Sequence, residues 1–65
     1  MALYVWHDVL EDYTSGIAFA LARSRAEAWR VLERDDPVAA RVVRESGAKP
    51  KRYDTARAFA IWGGG

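Results

Sequence analysis

The chain has no cysteine and one histidine in 65 residues. The first absence removes any disulfide framework, and the two together remove every zinc site built on Cys/His spacing, so no metal and no cofactor is expected. Length is also in short supply: a chain of this size buries only about 60% of the surface that its unfolded form exposes. Small domains commonly add a disulfide, a metal or a partner subunit. With the first two gone, association with another chain is the device left, and a homo-oligomer is expected. Long apolar runs are missing as well. A stretch such as Ile17 to Ala22 falls far below the roughly 20 residues that a bilayer requires, so no membrane partner is expected. The N-terminus lacks the basic flank and small-residue cleavage site of a signal peptide, which places the expected protein in the cytoplasm.

A large charge of one sign is the last absence. The net charge is +1, with 51% hydrophobic and 29% charged residues. That balance belongs to a folded domain, residues 1–65 as a single unit, and it does not single out nucleic acid as a partner. The small total conceals a gradient. Residues 1–22 hold three acids and no base; residues 23–36 balance; residues 37–65 hold six cations against two acids. An acidic hairpin end and a basic C-terminal part are expected to attract, within the molecule or between subunits.

Aromatic and β-branched residues dominate Ala2 to Val9, and large and small apolar side chains alternate from Gly16 to Ala22. Both read as strands, joined by turn chemistry from Glu11 to Gly16. Ser24 and Glu27 then form an S-x-x-E capping box that opens a helix near Arg25. Ala28, Trp29, Val31 and Leu32 share its apolar arc. Asp36-Pro37 either kinks this helix or ends it and starts another, since proline suits the first helical position but not the interior. The segment Pro37 to Ser46 places Val38, Ala39, Val42 and Val43 on one arc, with Gly47 as C-cap and Pro50 as a stop. Arg57 to Trp62 reads as a third strand. The expected fold is therefore α+β in the order ββαβ: a three-stranded antiparallel sheet with a kinked or two-segment helix on one face.

Side chains alternate across a strand, so parity sorts the two faces of that sheet. One holds Leu3, Val5, His7, Ile17, Phe19, Leu21, Phe59 and Ile61. By bulk it is expected to meet the helix. The other holds Tyr4, Trp6, Ala18, Ala20, Ala22, Ala58, Ala60 and Trp62, and carries no charge. An exposed face of that kind marks an interaction surface, and it is expected to be the oligomer interface.

His7-Asp8 with Glu11 and Asp12 is the one grouping that sets a base beside carboxylates. Neighbours on a strand point to opposite faces, and no nucleophile or metal-ligand spacing accompanies them, so no catalytic residue is assigned. The run Asp12-Tyr13-Thr14-Ser15-Gly16 offers hydroxyls and free N–H groups around a glycine, and is the candidate ligand-binding loop. Lys49, Lys51, Arg52 and Arg57, with Tyr53 available to stack, form the one nucleic-acid-like feature. The closing Gly63, Gly64 and Gly65 read as a frayed end or as a tail that docks in a groove admitting only bare backbone. The ending also resembles that of the ubiquitin-like sulfur carriers, which begin with a hairpin and a helix and end in Gly-Gly, matched by Gly64 and Gly65.

Leu3-Tyr4-Val5-Trp6, Asp8-Val9-Leu10, the stretch from Asp12 to Ala22, Glu27-Ala28 and the closing Trp62-Gly63-Gly64-Gly65 together resemble a group of short, uncharacterised proteins of bacteriophages and prophages. That resemblance implies a context and not a mechanism. In that context a protein this small is expected to be an accessory factor, in the host cytoplasm, that binds a host enzyme, blocks a defence component or sequesters its nucleotide signal. A small nucleic-acid-binding or transcription-modulating protein, and a carrier activated at its C-terminal glycine, are the alternatives.

Overall fold

The computed structural model describes residues 1–10 and 16–60. Alternation of apolar residues produces the two long strands, β1 (Ala2–Val9) and β2 (Gly16–Ala22). They pair antiparallel with Leu3 opposite Leu21, Val5 opposite Phe19 and His7 opposite Ile17. The register then slips, because Val9 faces Gly16 and Asp8 is left over. Asp8 is thus the extra residue of a β-bulge and takes φ +55, a left-handed conformation that aspartate tolerates better than most residues. Leu10 follows at φ +54. Gly16 is required by contact: a Cβ there would sit 2.6 Å from the Val9 carbonyl oxygen.

Two helices follow. Ser24 caps α1 (Arg25–Asp35), its hydroxyl accepting from the Glu27 N–H at 3.1 Å. The Glu27 carboxylate accepts from the backbone N–H of Arg23 at 2.8 Å, one residue earlier than a standard capping box would have it. Asp36 resolves the choice between a kink and a restart. Its N–H donates to the Leu32 carbonyl, closing α1, while its side chain accepts from the Ala39 N–H, opening α2 (Pro37–Ser46). Pro37 therefore stands at a helix start, where its missing N–H costs nothing. Gly47 at φ +77 ends α2, its N–H donating to Arg44.

The third strand is not where alternation places it. Lys51–Tyr53 forms β3, which runs antiparallel to β1 with Leu3 opposite Tyr53 and Val5 opposite Lys51. Residues 57–60 belong to no strand, and Ile61 and Trp62 lie outside the described residues. Only residues 47–50 separate the end of α2 from β3, so the chain pairs with β1 as soon as it returns to the sheet. The sheet order is β2-β1-β3. The α+β class and the antiparallel three-stranded sheet with a two-segment helical layer stand as read from the sequence.

The helical layer covers the opposite face from the one expected. Ala2, Tyr4, Trp6, Ala18, Ala20 and Ala22 form the core with Ala28 and Leu32 of α1 and Ala40 and Val43 of α2. Packing distance explains the reversal. Alanines on β2 let two helices approach the sheet closely, and the large Tyr4 and Trp6 on the central strand fill the space between them. Within α2, Ala40 and Val43 are buried whereas Val38 and Val42 are exposed, a rotation of the expected arc by about one position.

Candidate binding surface

The face turned away from the helices is built by all three strands. By register, β2 contributes Ile17, Phe19 and Leu21, β1 contributes Leu3, Val5 and His7, and β3 contributes Lys51 and Tyr53. The face divides into a closed half and an open half. On the β3 side the chain after β3 folds back over the sheet, and the Phe59 ring meets those of Tyr53 and His7 edge-on, with centroids 4.8 and 5.4 Å away. His7 Nε2 and the Tyr53 hydroxyl share a hydrogen bond of 3.0 Å. Val5 beneath them is 1% exposed. On the β2 side no described residue supplies such cover: Phe19 is 64% and Leu21 60% exposed. Between the halves lies a groove of about 390 Å³ lined by Leu3, Val5, Ile17, Phe19, Arg57 and Phe59.

Among the described residues, charge enters this surface beside β3 and the groove. Lys51 Nζ sits 5.8 Å from the centre of the Tyr53 ring and the Arg57 guanidinium 5.1 Å from it, within cation–π range. Arg52 alternates to the other face and pairs with Asp54 at 2.7 Å. Elsewhere on the surface, Arg23 and Glu27 form a 3.0 Å ion pair and Arg34 and Asp35 one of 2.8 Å. Hydrogen bonds from Arg23, first its side chain and then its backbone, hold the Glu27 carboxyl below the usual carboxylate range. The side-chain hydrogen bond from Arg34 does the same for Asp35.

The sequence-predicted sites are distributed as follows. Tyr4, Trp6, Ala18, Ala20 and Ala22 lie beneath the helices, so the interface expected there is corrected: that face is core. Ala58 and Ala60 are exposed on the returning segment and pack in neither layer of the core. Trp62, Gly63, Gly64 and Gly65 lie outside the described residues, as do Asp12, Tyr13, Thr14 and Ser15 of the candidate ligand loop. Gly16 of that loop opens β2 against the β1 bulge. His7 is joined to Tyr53, while Asp8 is exposed at the bulge. Among the described residues no group of three His, Asp or Glu side chains is arranged to hold a metal ion. No helix among them is long and apolar enough to cross a membrane.

Phe19 and Leu21 carry the open surface, and the sequence reading placed both in the core. The signal that distinguishes the faces is side-chain size on β2: two helices need the small face, and bulk is left for the other side. No family model matches the chain, and no curated protein or solved structure matches it significantly. The chain is a two-layer α+β domain with the exposed apolar pair Phe19 and Leu21 on the outer face of its sheet.

Proposed function

We propose that this protein acts by binding, as a homo-oligomer, with the outer face of the sheet as its contact surface and with no turnover of its own. The observation that carries the reading is the open pair Phe19 and Leu21 on β2, beside an apolar groove. The outer face of an antiparallel sheet is ordinarily polar, and contiguous apolar surface on a small protein usually marks an interaction site. Binding is favoured over catalysis by the state of His7. Its described partners are a phenol hydroxyl and two aromatic rings, an arrangement that positions the imidazole but supplies neither a nucleophile nor a carboxylate to work with it.

The resemblance to short bacteriophage proteins supports an accessory role, with a host enzyme, a defence component or its nucleotide signal as the thing bound. The nucleic-acid alternative draws less support from the geometry. Tyr53 is the ring offered for base stacking, but its hydroxyl is bonded to His7, its ring packs edge to face with Phe59, and two cations sit over it. A base would have to displace these contacts.

Affinity capture with a tagged chain in phage-infected cells, read for both proteins and nucleotides, tests the proposal when run beside Phe19→Glu/Leu21→Glu. A partner retained by wild type and by Arg30→Glu but lost from the double variant is the expected result. Retention by the double variant at wild-type level would place the contact elsewhere.

A further inference from the structure

The two edges of the sheet are finished differently. β3 is three residues long, carries Lys51 and Arg52, and follows Pro50, all features that keep an edge from pairing with another chain. β2 has none of them. It is seven residues long, Gly-Ile-Ala-Phe-Ala-Leu-Ala, with no charge and no proline, and its one described strand neighbour is β1. Grooves of about 250 and 440 Å³ run between this strand and α1, with Val31 lining both, so space lies alongside the strand among the described residues.

We infer that β2 pairs antiparallel with β2 of a second copy, centred on Phe19, to join two sheets into one of six strands. This rests on the reading of the protein as a homo-oligomer and places the contact between copies at the β2 edge, beside the outer face. The evidence for a second copy as occupant is the symmetry of the strand. About Phe19 the sequence reads the same by size in both directions: Ala18 and Ala20, then Ile17 and Leu21. A two-fold axis there sets Phe19 against Phe19 and Ile17 against Leu21 on the outer face, and alanine against alanine on the helix side. Closed self-complementary contact of this kind is what a two-fold dimer requires. The strand carries no charge, so two copies meet without like-charge repulsion across the pair. Main-chain hydrogen bonds supply affinity and the alternating side chains fix the register. The pairing also makes the two open halves contiguous, doubling the apolar surface offered to a further partner.

The chain has no native cysteine, so single-cysteine variants report one contact at a time. Directly opposed residues of an antiparallel pair have Cα atoms about 4.5–5.5 Å apart, inside the range a disulfide spans. In a glutathione buffer Phe19→Cys should run as a covalent dimer on a non-reducing gel. Ile17→Cys and Leu21→Cys should each stay monomeric alone and cross-link when mixed, a combination that leaves Phe19 in place. Val38→Cys, on the exposed side of α2, is the control. Linking of Phe19→Cys no faster than Val38→Cys, together with no linking in the Ile17→Cys/Leu21→Cys mixture, overturns the inference. Sedimentation of wild type in the same buffer then separates the two claims: a dimer would leave the outer-face reading standing with another geometry, and a monomer would remove self-association from it altogether.

Discussion

The indole rings of Trp6 and Trp29 meet edge to face with centroids 4.8 Å apart, and the Arg44 guanidinium lies 4.4 Å from the centre of the Trp29 ring. This stack ties β1 to α1 and α1 to α2, so three elements depend on one side chain. Trp6 is fully buried, and its indole N–H has no hydrogen-bond partner among the described residues. Trp29→Ala should cost about 2–4 kcal/mol, below the range for fully buried tryptophan because Trp29 is only partly buried. That corresponds to a fall in melting temperature of roughly 10 °C or more for a domain of this size. Trp29→Phe should recover most of it. A loss confined to a degree or two in Trp29→Ala would mean the stack contributes little.

Gly16 and Gly47 separate two reasons for glycine. At Gly16 the obstacle is contact, with the Val9 carbonyl oxygen 2.6 Å from a would-be Cβ; at Gly47 there is open space, and the obstacle is φ +77 alone. Gly47→Ala should cost about 1–2 kcal/mol, the usual penalty for an L-residue in the left-handed region. Gly16→Ala should cost more, roughly 2–3 kcal/mol, because the β1 bulge must shift to admit the methyl group. Chemical denaturation of the two variants checks the order, and equal costs would contradict the close approach.

Stability should depend on acid through Glu27. Its carboxyl is held below its ordinary range by Arg23, so the folded state favours the ionised form. The resulting contribution is present above the carboxylate range and disappears as pH falls through the lowered value. The pair is exposed and screened, so the effect is small and salt-sensitive. Wild type should melt above Glu27→Gln at neutral pH, with the gap closing in acid and in high salt. Ser24→Ala, by contrast, should lower stability by about 1 kcal/mol at any pH, since a hydroxyl cap does not titrate here. A Glu27→Gln gap that persists in strong acid would remove the ion pair as its cause.

Much of the fold is legible in the residues, for local reasons. Ser24, Asp36, Pro37 and Gly47 mark helix ends because each satisfies a backbone need that few other residues meet, and the bounds of α1 and α2 follow from them. Alternation locates β1 and β2. What alternation does not locate is β3: Lys51-Arg52-Tyr53 pairs through its backbone, and backbone pairing leaves no hydropathy pattern. Nor does parity decide which face is inside when both faces are apolar. Bulk was the available criterion and it points the wrong way, since the helices need alanines beneath them and the single buried Trp6 supplies the volume. Phe19 and Leu21 are expected in the core for that reason and are exposed instead, and the aromatic contact of His7 with Tyr53 and Phe59 is invisible without knowing that the chain folds back over β1.

Ala20 and Leu21 are neighbours on β2 that point to opposite faces, Ala20 under the helices and Leu21 60% exposed. Comparing the thermal melts of Ala20→Glu and Leu21→Glu therefore tests, in one measurement, which face is core and which is free for contact. Ala20→Glu forces a carboxylate into the apolar layer beneath the helices, and should cost about 3–5 kcal/mol or prevent folding. Leu21→Glu places the same charge in solvent and should leave a folded protein whose monomer melts within roughly 1 kcal/mol of wild type. The reverse order, with Leu21→Glu unfolded and Ala20→Glu stable, would put the helices on the other face and contradict the account.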